Sequence, residues 1–188
     1  MNTLSAVIFA GGKSSRMGED KALLPFNGYP SLSQYQYQKL EKYFHKVYLS
    51  SKVDKFEFDC QILYDTKDTS SPLVALVSAF EQLSNEALFV LSVDSPLVDA
   101  SVFETLIEAY DPSYDAIIAQ SPTGIQALCG IYHRSILPLA QEMLQEDKHK
   151  LRHLLTKAKT KFVRFEEEAL FTNLNYKQEY EALQFAKR

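Results

Sequence analysis

The chain has 188 residues and a net charge of −4, with 46% hydrophobic and 23% charged residues. That balance excludes a disordered chain and fits one domain with a substantial core. No apolar run approaches the length of a membrane span, and residues 1–12 lack a signal peptide's basic flank and long apolar stretch, so a cytoplasmic protein is expected.

Short apolar runs alternate with helical periodicity. Leu4–Phe9 reads as a buried strand, Ser31–Tyr43 as a helix, and Lys46–Ser50 and Gln61–Tyr64 as strands. Pro72 opens a helix whose apolar face is Leu73, Leu76, Val77, Phe80 and Leu83. Ala87–Val93 gives the strongest strand signal, and Val102, Leu106, Ile107 and Tyr110 mark the next helix. Strands follow near Tyr114–Ala119 and across Gln126–His133. Two helices are expected over 135–158, then a strand at Lys161–Phe165 and a terminal helix from about Tyr176. Such alternation predicts an α/β fold with a mostly parallel sheet covered on both faces. Ligands of such sheets bind beyond the carboxyl ends of the strands. The residues to inspect are therefore 10–21, Asp65 and Asp94.

Cys60 and Cys129 form no CxxC and lie in apolar stretches, so both read as buried thiols. Seven basic residues and no acidic one fall between Lys148 and Arg164. The rest of the chain then carries 13 basic against 24 acidic residues, a net of −11. General nucleic-acid binding is not expected, though the local basic face could meet a small anion. His149 and His153 have a metal-binding spacing, but no Glu follows the first and no third ligand is evident. No Ser-His-Asp or Cys-His arrangement emerges.

Glycine is scarce. There are six, under half the usual share of roughly 7%. Gly11, Gly12 and Gly18 cluster directly after the first strand, among Lys13, Arg16 and Lys21. Glycines let backbone approach a ligand, successive amides can cup an anion, and Arg grips phosphate with two parallel bonds. The loop is suited to a triphosphate. It is not a P-loop, since Val7 stands where that motif needs glycine, and no two glycines are spaced as GxGxxG requires.

Phe9-Ala10-Gly11-Gly12-Lys13-Ser14-Ser15-Arg16-Met17-Gly18-Glu19-Asp20-Lys21-Ala22-Leu23-Leu24-Pro25-Phe26-Asn27-Gly28 resembles the signature LAGGxSxRMGxDKALLPxxG of the molybdenum cofactor guanylyltransferases, with Phe9 for leucine. The resemblance implies a single nucleotidyltransferase domain over 1–188, with about 1–98 binding nucleotide and about 99–188 binding the acceptor. It implies a Rossmann-like three-layer α/β/α sandwich of the nucleotide-diphospho-sugar transferase type. Phe9, Ala10, Gly11 and Gly12 would contact base and phosphates, Arg16 and Lys21 would act catalytically on the triphosphate, and Lys13 would add a contact.

Val93-Asp94-Ser95-Pro96-Leu97 resembles the family's CDxP element, whose Asp holds magnesium. Mg²⁺ binds through one or two carboxylates plus phosphate oxygens, so Asp94 is expected as metal ligand, catalytic and GTP-binding residue. Asp65 resembles the family's second GTP-site Asp; its plain reading is a loop aspartate. The family's GPLAG is here Ser71-Pro72-Leu73-Val74-Ala75, with both glycines lost. Gln126–Tyr132 resembles a QPLCALY-like strand and Asp147–Leu155 a basic helix, which makes Arg152 an acceptor contact. Asn173-Leu174-Asn175 resembles the family's N-x-N, so Asn173 and Asn175 are expected at the acceptor; helix N-capping competes for Asn175.

The resemblance implies that GMP passes from GTP to the terminal phosphate of molybdenum-bearing molybdopterin, with Mg²⁺. It implies molybdoenzyme chaperones as further partners, and neither nucleic acid nor membrane. The alternatives are a cytidylyltransferase acting on molybdopterin or another phosphorylated acceptor, and a non-catalytic nucleotide- or cofactor-binding adaptor.

Overall fold

A computed structural model describes residues 4–11, 20–67, 69–174 and Tyr180. Seven strands among them form one sheet: β1 (Ser5–Phe9), β2 (Lys46–Ser51), β3 (Gln61–Tyr64), β4 (Ala87–Ser92), β5 (Ala116–Ser121), β6 (Gly124–His133) and β7 (Thr160–Arg164). Their order is β3-β2-β1-β4-β6-β5-β7. Neighbours run parallel except that β6 is antiparallel to β4 and β5. The mostly parallel sheet predicted from the sequence is present, and β6 supplies its one reversed strand among the described residues. The expected terminal helix lies outside the described residues apart from Tyr180.

Among the described residues, five α-helices cover the sheet: α1 (Leu32–Leu40), α2 (Pro72–Gln82), α3 (Ala100–Glu108), α4 (Leu137–Gln145) and α5 (Leu151–Lys157). Ala6 and Ile8 of β1 face α1 and α3, in a core with Leu32, Leu40, Phe89 and Phe103. Val7 and Phe9 face the other way, into a core with α2, α4 and α5 around Leu76, Phe80, Met143 and Leu154. Side chains alternate across a strand, so burial of both faces requires the continuous apolar run that marks β1. No helix among the described residues is long and apolar enough to cross a membrane.

The helix starts follow local chemistry. Ser31 and Ser71 cap α1 and α2, accepting the amides of Gln34 and Val74 at 3.1 Å, and Pro72 takes the first helical position, where no amide partner is needed. Gly28 closes the glycine-rich signature, yet its role is local. Asn27 and Gly28 both have positive φ, 50° and 83°, between the bridged pair Phe26 and Tyr29, which is a two-residue reverse turn that Asn-Gly favours.

Gly130 has a different reason. A Cβ there would lie 2.5 Å from the Ile117 carbonyl oxygen across the β5–β6 pair. Gly130→Ala must push the strands apart, and overpacking of this kind costs about 1–3 kcal/mol. Urea denaturation should show a midpoint lowered accordingly; an unchanged midpoint would remove the steric account.

Both cysteines are free, Cys129 buried and Cys60 half-buried. Burial pushes the Cys129 thiol up to about 12 from an ordinary 9.0, and raises the Tyr132 phenol beside it. A raised folded-state pKa on a group that is neutral when protonated gives stability that is complete below pH 9 and lost as pH rises through 9 towards 12. Denaturation midpoints should fall between about pH 8.5 and 11.5, and Cys129→Ala should shrink that fall. A fall of equal size in the variant would clear Cys129 of responsibility.

Candidate functional site

The register of the parallel strands sets the site. Phe9, the last residue of β1, stands beside Ser50 of β2 and Ser92 of β4. Chain order reverses direction here, since β2 and β3 lie on one side of β1 and β4 on the other. Such a switch point leaves a crevice at the strands' carboxyl ends. Gly11 follows β1, Asp65 follows β3 and Asp94 follows β4, so all three open onto it.

Two adjoining clefts occupy the crevice. The first, of about 220 Å³, is lined by Phe9, Gly11, Asp65, Ser71, Pro72 and Ala75 among others. The second, of about 240 Å³, is lined by Asp94, Ser95, Gln126, Cys129, Arg152 and Asn173 among others. Ser92 and Leu128 line both. Phe9, Gly11 and Asp65 thus fall in one cleft, and Asp94, Arg152 and Asn173 in its neighbour. Gly12, Lys13, Arg16 and Asn175 lie outside the described residues.

Each carboxylate is oriented by a serine near a strand end. Ser50 Oγ donates to Asp65 Oδ1 at 2.9 Å, and Ser92 Oγ to Asp94 Oδ1 at 2.6 Å. The other Asp94 oxygen, Oδ2, stands 3.5 Å from Lys21 Nζ, with the two side chains 23% and 15% exposed. Asp20 starts the single turn that carries Lys21 by accepting the Ala22 amide at 3.0 Å. Ala10 is buried, and its amide donates to the Ser50 carbonyl at 3.1 Å. Gly11 needs no help from packing. Among the described residues, a Cβ there would meet Asp65 Oδ2 at an ordinary 3.5 Å, so packing does not require glycine at this position, which lines the first cleft.

Asn173 is sewn to the Asp94 loop. Ser95 Oγ donates to Asn173 Oδ1 at 2.6 Å, and the Leu174 amide to the Asp94 carbonyl at 2.8 Å. Arg152 donates through Nη2 to the Ile125 carbonyl at 2.9 Å, which fixes it at the lip of the second cleft.

A metal has one described carboxylate to use in this cleft. Among the described residues no three His, Cys, Asp or Glu converge. Asp94 alone cannot cage an ion. One carboxylate in an open polar cleft does suit a divalent cation that takes its remaining ligands from phosphates and water. His149 precedes α5 rather than lying on it, so the helical geometry assumed for a His149–His153 pair is not formed.

An Asp-His-Ser succession does form, although none emerged from the sequence. His149 Nε2 lies 2.9 Å from Asp147 Oδ1, and its Nδ1 lies 3.0 Å from Ser71 Oγ. Asp147 is 96% exposed, so it cannot hold the ring as the buried acid of a hydrolytic triad does, and Ser71 Oγ already accepts the Val74 amide. The contact ties the segment before α5 to the rim of the first cleft.

Three supporting residues escaped the sequence reading. Gln36 of α1 is fully buried, and its Nε2 lies within 3.3 Å of the carbonyls of Ser92, Val93 and Ser95. Its Oε1 is buried, with no hydrogen-bond partner among the described residues. Lys39, one turn on, donates to the carbonyls of Pro96 and Val98 at 3.0 and 2.7 Å. Together they clamp the chain on both sides of Asp94. Lys55, between β2 and β3, reaches the loop after β1. A glutamine between Leu32 and Leu40 at i, i+4 spacing is the one legible trace of this support.

Gln36→Met keeps the volume and removes the donor. Buried carbonyls that lose a donor cost about 1–3 kcal/mol, so a lower urea midpoint is expected. An unchanged midpoint would remove Gln36 from the support of Asp94.

The profile of the MobA-like NTP transferase domain matches residues 6–162. A molybdenum cofactor guanylyltransferase of Campylobacter jejuni subsp. jejuni serotype O:6 is 41% identical over 183 residues, covering 96% of this chain and 95% of that one. A molybdenum cofactor guanylyltransferase of Helicobacter pylori strain J99 is 33% identical over 194 residues, covering all of this chain and 91% of its own. The fold also matches the solved molybdopterin-guanine dinucleotide biosynthesis protein A of Archaeoglobus fulgidus, with a TM-score of 0.82, 18% identity and 98% of each chain covered.

Proposed function

The chain belongs to the MobA-like NTP transferase family, and on that basis we propose that it transfers GMP from GTP to the terminal phosphate of molybdenum-bearing molybdopterin. Two adjoining clefts that meet at Ser92, with Asp94 beside their junction, carry this reading. The first suits the nucleotide and the second the acceptor.

In the reaction an oxygen of the acceptor phosphate forms a bond to the α-phosphorus of GTP. The bond from that phosphorus to the bridging oxygen breaks, and pyrophosphate leaves with the electron pair. The attacking phosphate is already ionised, so alignment and charge neutralisation matter more than a general base.

Lys21 and Arg16 neutralise charge on the departing pyrophosphate. Phe9, Ala10, Gly11, Gly12 and Lys13 bring backbone and charge against the nucleotide, with Asp65 lining the same cleft. Asp94 would hold a divalent cation, Mg²⁺ by its oxygen donor, and that ion would supply neutralisation of phosphate charge. Arg152 meets the acceptor's phosphate and Asn173 lines its path, with Asn175 as a further acceptor contact. The reaction uses soluble substrates in the cytoplasm, and molybdoenzyme chaperones receive the product.

Purified chain with GTP, Mg²⁺ and molybdopterin should release pyrophosphate, and CTP should not replace GTP. Release with CTP alone would favour a cytidylyltransferase; tight GTP binding without turnover would favour an adaptor. Asp94→Ala should lower the rate by about 10²-fold or more, the loss typical of a transition-state electrostatic partner. A near-normal rate would remove Asp94 from the centre.

A further inference from the structure

Lys55 is not part of the glycine-rich signature, yet it holds both flanks of that loop. Its Nζ donates to the Ala10 carbonyl at 2.9 Å and to Asp20 Oδ2 at 2.5 Å. Ala10 and Asp20 are ten positions apart, and residues 12–19 run between them. The ammonium also stands 5.7 Å from the Phe56 ring, and the side chain is only 16% exposed. A partly desolvated cation on two oxygens is a stronger tie than a surface ion pair.

We propose that Lys55 is a positioning residue that closes the base of the glycine-rich loop and screens Asp20 from the triphosphate. The proposal rests on the nucleotide reading above.

Asp20 is an anion at the end of a loop that must receive phosphates, and unpaired it would repel them. Its Oδ2 pairs with Lys55, while its Oδ1 caps the turn carrying Lys21. Fixing Asp20 therefore fixes the start of the turn that sets Lys21 3.5 Å from Asp94. The Ala10 carbonyl is held by Lys55 and its amide by Ser50, so the backbone entering the loop is restrained from both sides. A single ammonium thereby meets part of the entropy cost of closing the loop.

The test compares wild type with Lys55→Met, Lys55→Arg, Asp20→Asn and the double variant Lys55→Met/Asp20→Asn. Equilibrium GTP binding with Mg²⁺ is measured, with amide exchange at Ala10 and Ala22 in the absence of nucleotide. Lys55→Met should weaken GTP binding by about tenfold or more, the scale of a lost hydrogen bond to a charged group. Lys55→Arg, which keeps charge and donors, should stay within about threefold of wild type. The double variant should bind GTP more tightly than Lys55→Met, because asparagine in place of Asp20 caps the turn without the charge.

A residue that only stabilised the fold would give no such recovery. Wild-type affinity in Lys55→Met, or a double variant no tighter than Lys55→Met, would overturn the screening. Faster exchange at Ala10 and Ala22 in Lys55→Met is expected, and unchanged exchange would overturn the tie. Failure of the wild-type chain to bind GTP would overturn the nucleotide reading instead, with the exchange data still deciding the tie.

Discussion

The parallel register of β2, β1 and β4 is the constraint on which the site depends. It sets Phe9 beside Ser50 and Ser92, so three separate loops open onto one crevice. The burial of both faces of β1 holds that register, because a one-residue slip would exchange Ile8 and Phe9 between unlike cores. Residues far apart in the chain, such as Gly11, Asp65 and Asp94, become neighbours through strand pairing alone.

Once the crevice exists, its charges are oriented by short, local means. A serine of β2 holds Asp65, and the last residue of β4 holds Asp94. Lys21 faces the remaining oxygen of Asp94, and Lys55 that of Asp20. The backbone around Asp94 is in turn clamped by Gln36 and Lys39 from α1 and stitched to Leu174. Charges held this way are fixed in advance, which is the condition for strong electrostatic stabilisation of an anion.

The rim of the first cleft departs from the family signature where two glycines are absent. Ser71 stands at the first of those places, where it caps α2 and meets His149. Ala75, at the second, also lines the cleft. The rim is therefore built of side chains and joined to the segment before α5.

The elements, and the candidate-site residues that stand at strand ends, were legible in the chain before folding was considered. Both faces of a central parallel strand must be apolar, which made Leu4–Phe9 and Ala87–Val93 readable, and Ser-Pro marked the start of α2 through its missing amide. Glycine clustering and an Asp at a strand's end are local patterns, so Gly11, Lys21 and Asp94 could be named without coordinates. Folding alone settled the antiparallel direction of β6, the need for glycine at 130, and the support given by Gln36, Lys39 and Lys55. The reason is physical. Strand direction and interstrand crowding arise only between paired strands, and a hydrogen bond to a backbone carbonyl leaves no trace in the identity of the acceptor residue. Lys55 looks like any loop lysine until folding brings Ala10 and Asp20 to the same ammonium.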